Sequence, residues 1–245
     1  MAFCASAAWR LLVIEAWVLS AADGAEFVGD RGASFLKTRG RSPNMKLKAQ
    51  PINCSLKRSG DDSSTDAMIA TISDAFRRFD VTIAPTLRIS DYDVLPGVTS
   101  NEGEGDAWPS LRNQVLSADI LIFGTPIWLG QASSIAKRVL ERMDAFLDEI
   151  DDQGRMPSYS KVAVTAIVGN EDGAHATSAQ LFQALNDVGW TIPAVGACYW
   201  VGEAMGSVDF RDLPHPPDKV VRTAEMLAAN ATHLAGLLKQ KPYPG

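Results

Sequence analysis

Asp119-Ile-Leu-Ile-Phe-Gly-Thr-Pro-Ile-Trp128 is the stretch on which the fold turns. Residues 119–124 form a continuous apolar run closed by a glycine, the mark of a central strand covered on both faces. Val162–Val168 reads as a second buried strand. Between and around them the period changes. Met68, Ile69, Ile72, Phe76 and Phe79 recur at three- and four-residue spacing, which predicts a helix over 64–79 with one buried stripe. Ile135, Val139, Met143, Phe146 and Ile150 predict a long amphipathic helix. Strands are predicted at 46–54, 81–89 and 191–200, and helices at 106–117, 174–188 and 217–239. Asp106 is a credible N-cap, with Pro109 in the first turn behind it. Five strands alternating with helices from Met45 onward predict an α/β fold. The architecture is a doubly wound parallel sheet with right-handed crossovers and helices on both faces.

Composition narrows the classes. Of 245 residues, 46% are hydrophobic and 21% charged, which excludes collagen-like, disordered and coiled-coil chains. A net charge of −6 argues against nucleic acid or an anionic membrane as the main partner. Three cysteines, Cys4, Cys54 and Cys198, are too few for a disulfide framework or a cysteine-bound cluster, and no metal-ligand motif stands out. No apolar run is long enough to span a bilayer. The charge is uneven: residues 1–48 carry net +3, which leaves −9 on the remainder. Residues 1–44 read as a leader, with a Gly/Ser/Arg-rich stretch at 29–44. They suit a targeting segment, secretory or organellar, or extra sequence ahead of a start at Met45. Residues 45–240 form the domain and 241–245 a tail; the expected compartment is the cytoplasm, with organelle import through the leader the alternative.

Ligands in such sheets bind at the carboxyl ends of the strands, so three loops carry the functional reading. The loop after the first strand runs Asn53-Cys-Ser-Leu-Lys-Arg-Ser-Gly-Asp-Asp-Ser-Ser-Thr65 into a helix start. Free backbone N–H groups there favour an anion, and Ser55, Ser63, Ser64, Thr65 and Lys57 add hydroxyls and a charge. The same residues also suit a plain serine-rich connection with Ser64 as N-cap. The loop Gly124-Thr-Pro-Ile-Trp-Leu-Gly-Gln131 sets Trp128 where it either covers something planar or folds back on the core. The loop Gly169-Asn-Glu-Asp-Gly-Ala-His175 offers an amide for a heterocycle edge and His175 as a proton donor, or simply caps for the next helix.

Taken together, Asn53–Lys57 with Ser63–Thr65, Gly124–Trp128 with Lys137 and Met143-Asp144, and Gly169-Asn170 resemble the flavodoxin-like NAD(P)H-dependent FMN reductases. The resemblance covers residues 46–239. It implies a flavodoxin-like fold, FMN as cofactor and NADPH or NADH as co-substrate. Ser55, Lys57, Ser63, Ser64 and Thr65 would then hold the phosphate. Thr125, Pro126, Ile127, Trp128 and Gly130 would wrap the ring, and Gly169, Asn170, Glu171 and Gly173 would lie at its pyrimidine edge. Hydride would pass from the nicotinamide to FMN and on to a small electron acceptor such as a quinone, nitro compound or flavin. The resemblance also implies a homodimer, with contacts sought at 91–106 beside Trp108 and at 199–210 with Tyr199 and Trp200. The alternative is a flavodoxin-type electron carrier without a nicotinamide site. Trp128 stands where the family usually has tyrosine, and Lys57 keeps a charge but lacks the planar fork of arginine.

A truncated chain starting at Met45 should remain soluble, with a melting temperature within about 2–4 °C of the full chain. Thermal unfolding of both chains checks this; a larger drop would make the leader structural.

Overall fold

A computed structural model describes residues 46–245; the leader at 1–44 lies outside the described residues. The chain alternates β1 (Lys48–Asn53), α1 (Ser64–Arg77), β2 (Thr82–Ile83), β3 (Leu87–Arg88), α2 (Trp108–Leu116), β4 (Ile120–Trp128), β5 (Gln131–Ala132), α3 (Ser134–Met143), β6 (Val162–Val168), α4 (Ala174–Asp187), β7 (Ala197–Trp200) and α5 (Asp218–Gln240). The sheet order is β2-β1-β4-β6-β7, with every pair parallel. β3 also pairs with β1, in line with β2, so the two are one edge strand interrupted at residues 84–86. Pro85 has no N–H to donate there, and the Gln50 amide bridges the gap by donating to the Pro85 carbonyl at 2.8 Å. Counting that edge once, the order is that of a flavodoxin-like doubly wound sheet.

Alternation along the central strands explains the layers. Ile120 and Ile122 on β4, with Val162, Val164 and Ala166 on β6, face the stripe of Met68, Ile72 and Phe76 on α1 and Leu227 and Ala231 on α5. Leu121 and Phe123, with Ala163 and Ile167, face Leu111 and Val115 on α2, Val139 and Met143 on α3, and Leu181 and Leu185 on α4. Helices therefore cover both faces. Tyr243, in the C-terminal tail, docks by donating its N–H to Ser160 Oγ at 2.8 Å.

Four boundaries differ from the sequence expectation. β4 runs on through Trp128 instead of ending at Gly124, because Thr125 and Pro126 still pair with Ile167 and Val168 of β6. The edge strand is two short pieces rather than one. The last strand begins at Ala197, since Val195 at φ 58° breaks the extended run from Thr191. The helix begun at Ser134 ends at Met143 and tightens into a 3-10 turn over Asp144–Leu147.

The long connection from Ile89 to Ala107 is fixed from below by one guanidinium. Arg142 is fully buried and donates to the Leu95 carbonyl at 2.9 Å, to Thr99 O at 3.0 and 2.8 Å, and to Asp106 Oδ2 at 2.7 Å. Asp106 does meet α2, accepting from Trp108 N–H at 3.1 Å, while Ala107 takes the cap position. Burial pushes the Asp106 carboxyl up, but Arg142 and the N–H groups of Glu102, Trp108 and Leu95 outweigh it and hold it down at about 2. Trp108 itself is in the core and not free for a subunit contact.

Arg142→Met should cost about 3–5 kcal/mol, because it leaves the Asp106 carboxylate buried without its partner. The Asp106 pKa is depressed in the fold, so its contribution is complete above its ordinary value of 3.8 and is lost as pH falls through about 2. Denaturant titrations across that range should show this acid dependence in the wild type and not in Asp106→Asn.

Candidate functional site

A cleft of about 660 Å³, part of it open to solvent, lies across the carboxyl ends of β1, β4, β6 and β7. β1 lies between the edge strand and β4, so the chain changes direction there and the loops after β1 and β4 diverge. The first wall is the loop after β1. Fully buried Asn53 orders it: its Oδ1 accepts from Ser55 N–H at 2.8 Å, and its amide donates to Asp66 and, at 3.4 Å, to Ser63 Oγ. Arg88, on the edge strand, pairs with Asp66 and donates to the carbonyls of Lys57 and Arg58, each at 3.2 Å. Ser63 is the N-cap of α1, its hydroxyl accepting from Asp66 N–H at 3.4 Å. Ser64, expected as the possible cap, is instead the first helical residue. Among the described residues no protein group accepts from Ser64 or Thr65 N–H. Those donors and the hydroxyls of Ser55, Ser63, Ser64 and Thr65 border the cleft beside Lys57. This is a set of mainly neutral donors suited to an anion.

The second wall is Pro126, Ile127 and Trp128, at the end of β4. β4 turns through Leu129 at φ 53° and Gly130 at φ 75° into β5, a two-residue hairpin with both central residues left-handed. Trp128 is 54% exposed, so a large apolar ring stands free at the cleft. The third wall is Val168, Gly169 and Asn170. The Asn170 amide is engaged, donating to Gly206 O at 2.8 Å. The fourth is Trp200, Asp209 and Phe210. Trp200 leans on Phe210 with centroids 5.5 Å apart. Arg211 fastens this segment to the first wall, its N–H reaching Ser64 Oγ at 3.4 Å and its guanidinium the Asp62 carbonyl.

Five of the residues singled out from sequence stand outside the cleft lining. Thr125 is fully buried and its hydroxyl accepts from Ser133 N–H at 3.1 Å, tying β4 to the start of α3. Glu171 accepts from Leu129 N–H at 3.0 Å, so its carboxylate holds the hairpin. Gly173 crosses Gly130: a Cβ on Gly173 would stand 2.6 Å from the Gly130 Cα. Gly130 is therefore in the turn against that crossing. His175 meets the Tyr199 hydroxyl at 2.9 Å, away from the cleft. Trp200, sought as a subunit contact, lines the cleft. Sequence reading passed over Leu56, Val168, Trp200, Asp209 and Phe210 as cleft residues, and Asn53 and Arg88 as its braces. The signal available was a polar Asn53 closing an apolar strand. Cys54 offers no nucleophile, since complete burial pushes its thiol up.

Residues 48–205 match the family model described as NADPH-dependent FMN reductase. The chain belongs to this family. It is 32% identical over 213 residues to the 8-demethyl-8-aminoriboflavin-5'-phosphate synthase of Streptomyces davaonensis, which covers 81% of each chain. It is 34% identical over 200 residues to the divalent metal cation transporter MntH of Mycobacterium bovis, which covers 79% of this chain. The match spans only 29% of that protein's length. Among solved structures, RosB with a bound 8-demethyl-8-formylriboflavin-5'-phosphate intermediate superposes with a TM-score of 0.72 at 28% identity, over 81% of this chain and 82% of that one. Family membership supports FMN as the cofactor and oxidoreductase chemistry. The cleft fits the group: its free N–H groups and hydroxyls would suit a phosphate at one end, and its aromatic and aliphatic walls a planar ring at the other. Among the described residues no group of His, Cys, Asp or Glu is placed to hold a metal, and no helix is long and apolar enough to cross a membrane.

Gly173→Ala should drive the hairpin away from the β6–α4 loop, costing about 1–3 kcal/mol and weakening FMN binding. Gly103→Ala, at φ 106° with open space around it, separates backbone strain from the clash. Fluorescence titration with FMN should show weakened binding in the first variant only.

Proposed function

We propose that this chain is an FMN-dependent NAD(P)H oxidoreductase that passes electrons from a nicotinamide to a small acceptor, such as a quinone, nitro compound or flavin. The observation that carries the reading is the combination, in one cleft, of the free helix-start donors at Ser64 and Thr65 with the exposed face of Trp128. FMN, when bound, supplies the hydride and electron chemistry. The chain's own residues bind and orient. Ser63, Ser64 and Thr65 would hold the phosphate with Lys57 as the nearby charge. Ile127, Trp128 and Val168 would keep water from the ring, and the Trp200–Phe210 wall closes the cleft on the β7 side. No side chain need act as nucleophile. The Trp200–Phe210 wall supports this reading over an electron carrier, for which an open docking face would be expected. Among the described residues Cys54 and Cys198 are buried and free, which suits a reducing compartment such as the cytoplasm. We also infer a homodimer, its contacts drawn from exposed apolar residues near the cleft such as Leu56 and Leu129.

A second reading takes the flavin phosphate as substrate rather than cofactor. The similarity to the aminoriboflavin-phosphate synthase over 81% of both chains favours it. An anaerobic experiment tests the first reading, and an aerobic incubation of FMN with an amine donor, read by mass spectrometry, tests the second. With bound FMN, NADPH or NADH should bleach the visible flavin absorbance, and air should restore it with the flavin mass unchanged. No bleaching by either nucleotide would overturn the reductase reading; a changed flavin mass in the aerobic incubation would support the second reading, and an unchanged mass there would overturn it.

A further inference from the structure

Glu171 is placed near the ligand by sequence, yet its carboxylate is bonded to backbone elsewhere. Its Oε1 accepts from Leu129 N–H at 3.0 Å, 42 residues away in the chain. Leu129 occupies the left-handed region at φ 53°, which a side chain disfavours, and is itself 91% exposed. No packing from the outside holds this turn. Only two residue pairs join the arms of the hairpin, Ile127 with Ala132 and Trp128 with Gln131. At the base, Ser133 N–H donates to Thr125 Oγ1 at 3.1 Å; at the turn itself the restraints come from the segment after β6: the Glu171 carboxylate, the Gly173 backbone against Gly130, and the Thr177 hydroxyl at 3.5 Å from Gly130 O. The hairpin begins with Trp128, which lines the cleft.

We infer that Glu171 is a positioning residue, setting Trp128 against the ligand through the hairpin backbone without touching the ligand itself. The inference rests on the flavin reading of the cleft. A carboxylate is suited to this place because a charged acceptor makes a stronger bond to a backbone N–H than a neutral one. Glutamine keeps the acceptor and loses the charge; alanine loses both. Glu171 thereby ties the wall that carries the aromatic face to the loop that carries Gly169 and Asn170, so the two walls keep their spacing.

A double-mutant cycle on the full chain tests this, with FMN affinity read by fluorescence titration. Glu171→Ala should weaken FMN binding about tenfold in the wild-type background and Glu171→Gln about threefold. In a Trp128→Ala background, Glu171→Ala should add less than about twofold, since the group it positions is gone. An equal loss in both backgrounds, or none in the wild type, would overturn the inference. A second readout needs no flavin. Acrylamide quenching of Trp128, taken as the difference between each protein and its Trp128→Phe counterpart, should rise in Glu171→Ala; unchanged quenching also overturns the inference. Should the wild type bind no FMN, the flavin reading fails while the quenching result still decides the role of Glu171.

Discussion

Strand β4 is hydrogen-bonded on both sides, to β1 from Ile120 to Gly124 and to β6 from Ile120 to Pro126, and the site depends on how far it continues beyond β1. β1 ends opposite Gly124 and its chain turns off toward α1. β4 goes on alone beside β6 and delivers Ile127 and Trp128 past the crest of the sheet. The cleft is the space these diverging chains leave. Its floor is laced by buried polar contacts: Cys54 N–H donates to Gly124 O at 2.8 Å, Ser133 Oγ donates to Cys54 O at 2.5 Å, and Ser133 N–H donates to Thr125 Oγ1. Such contacts lock the loops to one another, so the ligand walls arrive pre-formed.

Charge in the region is mostly engaged. Arg88 pairs with Asp66, Arg211 lies among Asp209, Asp212 and the Asp62 carbonyl, and Lys57 donates to that same carbonyl at 2.9 Å. An incoming phosphate would therefore rely on backbone N–H groups and hydroxyls more than on a free cation. That arrangement suits a binding loop in an acidic domain, where the arginines shape the loop and the helix start is left to bind an anion, as proposed.

The sheet was legible because both central strands are apolar on both faces, and α1 because its stripe has one period. What misled the reading has local causes. A leucine in the hairpin turn hid it, since asparagine-glycine is the usual signal and Leu129-Gly130 is not. Pro85 is the available signal for the break in the edge strand, and the expectation of one strand over 81–89 passed over it. The 3-10 turn over Phe210–Asp212 has too few residues for a period, so Asp209 and Phe210 left no sign that they close the cleft. The three site loops were legible as a group. The division of labour within them was not, because which side chain faces the ligand and which ties the walls together depends on contacts between residues far apart in the chain. Glu171, Gly173 and Thr125 fall on the structural side of that division.

The central claim is that the start of α1 holds a flavin phosphate. The most direct measurement compares FMN with riboflavin, which shares the ring and ribityl chain and lacks the phosphate, by fluorescence titration under identical conditions. Each hydrogen bond to the charged group contributes about 1.5–3 kcal/mol, so riboflavin should bind at least about 100-fold more weakly than FMN. Equal affinities would contradict the account and place the phosphate outside the cradle at Ser63, Ser64 and Thr65.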